Sequence, residues 1–582
     1  MNRRAIVLLL ASGLSITMPK NIGNAAERAD GSELARGADL ILLHGKVWTG
    51  ESAPGSSATR IVEALAIANG RILAVGSDKE IRAYQGTNTA VIDLQGRLAV
   101  PGLTDSHVHF ILGGFQLLSV DLKDARSEEE FVRRVAEKAR TLPPGRWMQG
   151  GDWDEEAWVS EKLPTRWLID SITPHTPVFI SRYDGHAVLA NSLALELAGI
   201  TKHTPDPVGG VIVRDPKSGE PTGILKDEAQ DLVAKVIPRP SESEMEEALR
   251  AALKEAARVG LTSIHDITVG PEAWNGHFTG EIGLLRRAEL EGWLTCRVYA
   301  ITPIANWKNL EEAGISHDMG SDFLEMGAVK AFADGSLGSR TAWMFKAFDD
   351  DPGNSGLPMP LMAPPAKLEE IARQADRAGI QICTHAIGDR AIASLLDIYE
   401  RIGGEQPASR RFRVEHAQHM RSQDFARLGK LGIVASMQPY HAIDDGRWAE
   451  KRIGRERARS SYAWKSMLNA GAVLAFGSDW PVAPLDPLLG IYAAVTRATL
   501  DGKNPGGWFP EERLTVEEAL RAYTLGAAYA AFQENDKGTI APGKLADVVV
   551  LSDDLLGIPA ERIEDVHVKF TIVGGSVVYN SP

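Results

Sequence analysis

Cysteine is scarce in this chain: only two cysteines occur among 582 residues, Cys296 and Cys383. Both stand within apolar, strand-like segments, so we interpret them as small buried hydrophobic side chains. A disulfide or a pair of cysteine metal ligands is therefore not expected.

Basic charge is also in short supply. Lys and Arg number 63 against 77 Asp and Glu, which gives a formal net charge of −14. Since nucleic acids and anionic membranes bind basic surfaces, neither is expected as the main partner. Beyond the N-terminus the sequence also lacks an apolar run of transmembrane length. These absences favour a small molecule as the binding partner and leave a homodimer open.

Length and composition favour a large globular protein. Hydrophobic residues make up 44% of the chain and charged residues 24%, which is ordinary for a soluble protein. A chain of 582 residues is too long for one small core. We therefore expect a large domain of ~250 residues together with additional domains.

Residues 1–26 have the features of a signal peptide. A short basic start is followed by an apolar stretch from Ala5 to Ile16 and by small residues at positions 23–26. The segment predicts export to the periplasm or secretion. Arg3 and Arg4 resemble the twin-arginine signal but also fit the positive end of a general secretory signal, so the export route stays open.

The two ends of the remaining chain share one style of sequence. Residues 37–97 and residues 536–582 contain short strand-like runs separated by turn residues such as Asn-Gly. Short strands at both ends that flank a different middle predict one β-sandwich built from both chain ends.

The middle of the chain, residues 98–535, alternates strands with helix-period segments. The strand candidates lie at 98–109, 261–267, 297–303, 327–332, 380–385, 412–416, 433–437 and 472–479. Eight strands with helices between them predict a (β/α)8 TIM barrel. About 150 residues separate the first two strands, far more than a βα connection needs, so residues of about 115–240 are predicted to form an inserted subdomain.

Metal-ligand side chains stand where these strands end. The positions are His107, His109, Lys330, His385, His416 and Asp479. His107 and His109 are two residues apart, so on a strand both would point to the same face. Each residue alone could have a structural role. Because all of them fall at the carboxyl ends of barrel strands, where active sites of this fold lie, they predict a metal site.

Six motifs in order make the chain resemble the amidohydrolase superfamily, and more closely the YtcJ-like branch of the amidohydrolase-3 family. The resemblance extends from about residue 38 to the C-terminus. The motifs are Leu98-Ala-Val-Pro-Gly-Leu-Thr-Asp-Ser-His-Val-His109, 329–341, Thr384-His-Ala-Ile-Gly-Asp389, Arg413-Val-Glu-His-Ala-Gln418, Gly477-Ser-Asp-Trp-Pro-Val482 and 538–547.

The resemblance implies a role for each rim residue. His107 and His109 would bind the more buried metal, and His385 with His416 would bind a second one. Lys330 would bridge the two as a carbamylated lysine, or alternatively form a salt bridge to Asp334. The expected cofactor is a divalent metal, zinc by preference, as one or two ions.

The resemblance also implies hydrolysis, with Asp479 as the catalytic carboxylate that takes the proton from water and delivers it to the leaving nitrogen. The first expectation is cleavage of a carbon–nitrogen bond other than a peptide bond, in an N-acyl, N-formyl or cyclic amide. The same site could instead cleave an ester or lactone or act as a lyase. A non-enzymatic periplasmic binding protein is a further alternative, which the complete ligand set disfavours.

Substrate-binding candidates come from the insertion and from loops after later strands. His186, Arg340 and Gln438 are the predicted contacts, and His441 could likewise face the substrate. Asp227 stands where many members of the resembled family are expected to have glutamate. His265 and Asp266, which close the second strand, are expected to support the ligands rather than to bind metal.

Overall fold

The computed structural model describes residues 37–52, 58–160, 162–182, 186–268 and 281–581. The predicted signal peptide, residues 1–26, lies outside the described residues, so its cleavage stays a prediction. In the described part no helix is long and apolar enough to cross a membrane.

The described residues form β-strands along the whole chain. In chain order they are β1 Leu40–Leu43, β2 Lys46–Ser52, β3 Thr59–Val62, β4 Ala64–Ala68, β5 Arg71–Gly76, β6 Ala90–Asp93, β7 Leu98–Pro101, β8 Leu103–Val108, β9 Val120–Asp121, β10 Gly150–Trp153, β11 Phe179–Arg182, β12 Ala187–Ala190, β13 Gly210–Arg214, β14 Pro221–Asp227, β15 Leu261–Ile267, β16 Arg297–Pro303, β17 Met319–Gly320, β18 Leu324–Phe332, β19 Gln381–Ala386, β20 Arg413–His416, β21 Val434–Met437, β22 Val473–Phe476, β23 Val548–Leu551, β24 Val568–Val573 and β25 Ser576–Asn580.

The α-helices follow in the same order. They are α1 Asp78–Arg82, α2 Phe110–Leu118, α3 Glu128–Ala139, α4 Arg166–Ile169, α5 Ser192–Leu197, α6 Asp231–Ala234, α7 Glu242–Arg258, α8 Glu281–Leu290, α9 Trp307–Glu312, α10 Ala366–Arg377, α11 Asp389–Gly403, α12 Phe425–Leu431, α13 Pro439–Asp445, α14 Ala449–Ala458, α15 Trp464–Asn469, α16 Pro487–Thr496, α17 Val516–Tyr523 and α18 Leu525–Ala530.

Eight parallel strands form a nearly closed barrel. Their spatial order is β8, β15, β16, β18, β19, β20, β21 and β22, which is also their order in the chain. Beyond β22 the backbone N–H of Asp479 donates to the carbonyl of His107 at 2.7 Å, and His109 N–H donates to Trp480 O at 2.9 Å. These bonds bring the last and first strands together at the carboxyl end of the barrel. The predicted eight-stranded barrel sheet is confirmed.

The first predicted strand is in fact two strands. Residues 98–109 form one apolar run in the sequence, but Leu98–Pro101 pairs with β2 and β23, whereas Leu103–Val108 pairs with β15. Gly102 lies between them, where an added Cβ would come within 2.1 Å of Thr262 Oγ1. Only glycine fits this close approach, and the chain passes there from one sheet to the other.

Both chain ends contribute to the sheets beside the barrel. A four-stranded sheet has the order β5-β4-β1-β6, and a six-stranded sheet has the order β25-β24-β23-β7-β2-β3. Apolar side chains from residues 40–99 and residues 540–572 share one buried cluster, which includes Leu42, Val47, Val548 and Ile572. Burial of this surface holds the two ends of the chain together.

The long connection between the first and second barrel strands carries its own sheet, in the order β13-β14-β12-β11-β10-β9. A separate apolar cluster that includes Phe131, Trp153, Trp158 and Ile180 packs against it. The exact residue limits of the individual domains stay predictions.

Candidate metal site

The two histidines of the first motif converge on one carboxylate. His107 Nε2 lies 3.6 Å and His109 Nε2 lies 3.3 Å from Oδ1 of Asp479. His107 is the second-last residue of β8 and is buried, whereas His109 lies just beyond the strand, immediately before α2. The three side chains therefore meet although one of them is outside the strand that the sequence predicts for both.

Two of the rim residues occupy an unusual backbone conformation. The φ angle is +73° at His416 and +60° at Asp479. Residues other than glycine rarely adopt the left-handed region, and strained backbone of this kind is concentrated at functional sites. At the end of β20 the positive φ of His416 interrupts the strand, in which successive side chains point to opposite faces. Glu415 and His416, although consecutive, can therefore both contact the group of side chains around His107 and Asp479.

The buried carboxylate of Glu415 holds His107 in place. His107 Nδ1 donates to Glu415 Oε2 at 2.6 Å, and Arg413 Nε donates to Glu415 Oε1 at 2.7 Å. Burial opposes ionisation of Glu415, but the charge of Arg413 and the bond from His107 keep its pKa well below the usual range. With Nδ1 fixed as a donor, the lone pair of His107 lies on Nε2, toward the site.

The other three histidines are oriented in the same manner. His109 Nδ1 donates to the carbonyl of Ile267 at 3.2 Å, and His416 Nδ1 donates to Oε1 of Gln438 at 2.8 Å. His385 uses its opposite nitrogen, Nε2, which donates to the carbonyl of Gly335 at 3.2 Å. Each ring is left with one nitrogen for a ligand.

Lys330 lies inside this group. Its Nζ donates to His107 Nε2 at 3.3 Å, and the side chain is buried. Asp334 Oδ1 and Oδ2 accept instead from the backbone N–H groups of Ile387, Gly388 and Trp343. The described contacts therefore place Lys330 against a ligand histidine and not in a salt bridge with Asp334.

Burial sets the charge of these groups. Together with the charge of Lys330, burial lowers the pKa of His107 to about 4 and that of His385 to about 3. The pKa of His416 is held well below its usual value by burial and by the neighbouring histidines. These imidazoles are neutral near pH 7, which is the form that binds metal.

Burial in this site also shifts the pKa values of Asp479 and Lys330. Burial raises the pKa of Asp479, but the contact of its carboxylate with His109 and with the other neighbouring imidazoles outweighs burial, and the net pKa lies well below the ordinary value. Burial lowers the pKa of Lys330 against the attraction of Glu415 and Asp479. The pocket thus contains an ionised carboxylate beside a lysine whose pKa is lowered by burial.

The donor set fits a divalent ion. Ligand atoms of His107, His109 and Asp479 all lie within 4.8 Å of one another, and so do those of His416, His441 and Asp479. Neutral imidazoles held by second hydrogen bonds, together with a carboxylate, are the ligands that zinc-like metals prefer. The rings of His385 and His416 are 4.5 Å apart, so both metal-binding pairs of the resemblance lie in one region.

Two residues of this region are missed or undervalued by sequence reasoning. Glu415 enters the sequence argument only as a member of a motif, although its position two residues after Arg413 on one strand is a signal that both face the barrel interior. His441 is predicted only as a loop candidate, and nothing in its spacing indicates that it approaches His416 and Asp479.

The residues that close the second strand support their neighbours. His265 Nδ1 accepts from Arg413 at 2.9 Å, and Asp266 Oδ1 accepts from the backbone N–H of Phe110 at 3.0 Å. Both side chains are buried. They contact groups around the ligands and are absent from the ligand clusters of the described residues.

The three predicted substrate contacts lie in different surroundings. Gln438 is buried and accepts the hydrogen bond that orients His416. Arg340 forms two hydrogen bonds with Asp350, at 3.2 and 3.0 Å. His186 lies just before β12, in the connection between the first and second barrel strands, with its side chain 76% exposed and Nδ1 at 2.8 Å from Asp227. Of these three side chains, Gln438 alone contacts a candidate metal ligand in the part of the chain that the structure describes.

Known proteins match this chain over most of its length. The model of the amidohydrolase family matches residues 90–579. Protein LONG AFTER FAR-RED 3 of Arabidopsis thaliana is 40% identical, covering 93% of this chain and 92% of its own length. YtcJ of Bacillus subtilis (strain 168) is 34% identical over 89% and 96%, and the N-substituted formamide deformylase of Arthrobacter pascens is 28% identical over 93% and 98%.

A solved structure supports the same relationship. An uncharacterized metal-dependent hydrolase from Pyrococcus furiosus is 29% identical, with a TM-score of 0.72, and the match covers 89% of this chain and 99% of that one. The family match, the relatives and the metal-ligand geometry agree. The chain belongs to the amidohydrolase family, as a YtcJ-like amidohydrolase.

Proposed function

We propose that this protein is a zinc-dependent hydrolase of a carbon–nitrogen bond other than a peptide bond, in an N-formyl, N-acyl or cyclic amide. The observation that carries the proposal is the convergence of His107, His109 and Asp479, whose ligand atoms lie within 4.8 Å of one another. A relative of nearly the same length is named as an N-substituted formamide deformylase, which supports N-formyl amines as the first substrates to try.

The residues of the site have defined tasks in this reaction. A bound divalent ion supplies a polarised carbonyl and a water with a pKa lowered toward roughly 7. His107, His109, His385 and His416 would hold such an ion. Asp479 is ionised and adjacent to both His107 and His109, so it can accept the proton of the attacking water and deliver it to the leaving nitrogen. The products are a carboxylate and an amine.

Lys330 is proposed to carry a carbamate. Its neutral amine would add to carbon dioxide, form the N–C bond and release one proton, which converts a neutral group into an anion. Burial favours the neutral amine that this addition needs, and an ammonium beside metal ligands would repel the ion. The carbamate would add anionic oxygen ligands to those of the histidines, and the site would then hold two equivalents of metal.

The proposed function can be tested with purified protein loaded with zinc. Elemental analysis should give one or two equivalents, and intact mass should show an added carbamate on Lys330 when carbon dioxide is retained. A panel of N-formyl amines, N-acyl amino acids, cyclic amides and esters is then assayed, with Asp479→Asn as the control for adventitious hydrolysis. Turnover of esters alone would contradict carbon–nitrogen specificity, and protein that binds no metal would contradict the whole proposal.

We also propose that the protein is exported to the periplasm or secreted. The proposal is supported by the basic start, the apolar stretch and the small residues at positions 23–26. Intact mass of the native protein should show a chain that begins near residue 26 or 27. A cytoplasmic protein that retains Met1 would contradict export.

A further inference from the structure

His441 differs from the four ligand histidines in its hydrogen bonding. His107, His109, His385 and His416 each use one ring nitrogen to donate to a protein oxygen. His441 Nε2 is buried and has no hydrogen-bond partner among the described residues. A buried polar atom without a partner costs about 1–3 kcal/mol, so its presence calls for a ligand.

The location of His441 connects it to the reacting centre. It lies on α13, directly after the seventh barrel strand, and one of its ring nitrogens is within 4.8 Å of ligand atoms of both His416 and Asp479. The amide Nε2 of Gln438, three residues earlier, is likewise buried without a hydrogen-bond partner among the described residues. Since Gln438 Oε1 accepts from His416, the atom left over is an N–H donor.

Two structural roles for His441 are disfavoured by the contacts. A metal ligand of this site would be held by a second hydrogen bond, as the other four histidines are, and His441 has none in the described residues. A buried Asp–His pair would need Asp445, one helical turn further on. The carboxylate of Asp445 accepts instead from the hydroxyl of Tyr462 at 2.6 Å.

We propose that His441 donates a hydrogen bond from its unpartnered ring nitrogen to the oxygen of the scissile carbonyl, and that this bond strengthens as the oxygen becomes an anion. The inference rests on the proposed hydrolysis, because it requires a substrate carbonyl beside Asp479. A donor aimed at developing negative charge in a buried site stabilises the transition state more than the ground state. His441 is then a catalytic residue that does not bind metal.

The test uses methylphosphonate, a stable tetrahedral anion, on zinc-loaded full-length protein. Isothermal titration calorimetry measures its affinity for wild type, His441→Leu and His441→Gln. Leu has no donor, so we expect affinity to fall about 10- to 100-fold, the range for a hydrogen bond to a charged group. Gln retains an N–H donor and should lose less. Zinc content should stay at the wild-type level in both variants.

His419→Leu is the matched control. His419 is also buried with an unpartnered Nε2, but its Nδ1 contacts Ser461 and it is absent from the ligand clusters of the described residues. The control variant should bind methylphosphonate as wild type does. Where a compound of the panel is turned over, His441→Leu should lower kcat by about 10²- to 10³-fold and leave KM within a few-fold.

The outcomes separate this inference from the proposed function. Loss of zinc in His441→Leu would make His441 a metal ligand and overturn the inference, and so would wild-type affinity in that variant or absence of methylphosphonate binding to wild type. If no panel compound is hydrolysed but binding still depends on His441, the proposed reaction fails and the anion site stands. If hydrolysis occurs and is indifferent to His441→Leu, only the inference fails.

Discussion

The barrel rim and the long connection between β8 and β15, called the insertion below, both contain histidines paired with carboxylates, but the two regions differ in what surrounds those pairs. His107 is fully buried and bonded to Glu415, which is itself bonded to Arg413. His186 has a side chain that is 76% exposed, and its partner Asp227 is 50% exposed. The same pair of side-chain types is therefore fixed inside the barrel and accessible to water on the insertion.

This difference determines how strongly each pair can act. Inside the barrel, low dielectric strengthens the interactions of charges and penalises any group left without its partner. At the exposed pair, solvent and salt screen the attraction, and such pairs contribute little to stability. We infer that changing a rim residue affects metal binding or turnover, whereas changing an insertion residue affects recognition at most.

The largest effect is expected from the double change His107→Ala with His109→Ala. Both side chains are within 3.6 Å of Asp479, so their loss removes two imidazoles from one ligand cluster. Zinc measured by elemental analysis should fall by at least one equivalent and turnover should fall to background. Equal metal content in the double variant and wild type would show that the rim is not the metal site.

Asp479→Asn should keep the metal and lose the reaction. The amide has a similar shape and an oxygen for metal contact but cannot shuttle a proton, so turnover should fall by ~10²- to 10⁴-fold. Stopped-flow or steady-state rates, normalised to measured zinc, provide the comparison. Near-normal turnover with zinc confirmed would mean that another group moves the proton.

The barrel was predictable from the sequence because its signals are local. Each strand is an apolar run closed by polar residues, and glycines follow several helices, as Gly260 follows α7 with φ +82°. The passage from one sheet to another at Gly102 was not predictable, since Leu98–Pro101 and Leu103–Val108 are buried alike. Periodicity reports burial and does not report which sheet a strand joins.

The positions of the rim side chains were also predictable, because they follow from where each strand ends. The side chains that contact them were not predictable. Parallel strands bring their carboxyl ends to one side, so His385 and His416 had to lie near each other. The bond from His107 to Glu415 crosses the barrel between residues far apart in the chain, and the approach of His441 depends on the path of α13. Such contacts follow from tertiary packing, which single positions do not encode.

Glu415→Gln should sharpen the comparison on the barrel side. The amide can still accept from His107, but the buried charge of Arg413 loses its counter-charge. We expect zinc affinity to fall by about 10- to 100-fold. We also expect the free energy of unfolding to fall by about 3–5 kcal/mol, as for a broken buried ion pair.

Competition with a chelator measures the affinity of this variant, and urea unfolding of the metal-free protein measures its stability. Glu400→Gln serves as the control, because Glu400 pairs with Arg427 at the surface, with 47% of its side chain exposed. Wild-type zinc affinity in Glu415→Gln would show that the charge of Glu415, which lies behind His107, does not tune metal binding.

The smallest effect is expected from His186→Ala. The exposed pair with Asp227 is worth little to folding, so thermal stability and zinc content should match wild type. If the insertion contacts the substrate, the change should raise KM by roughly 2- to 10-fold, as for one solvent-exposed polar contact, and leave kcat unchanged. Asp227→Asn should do the same or less, because the imidazole remains. Loss of zinc, or turnover slowed by about two orders of magnitude, would place His186 in the reacting centre. The inference that the rim carries out the reaction while the insertion only recognises the substrate would then be wrong.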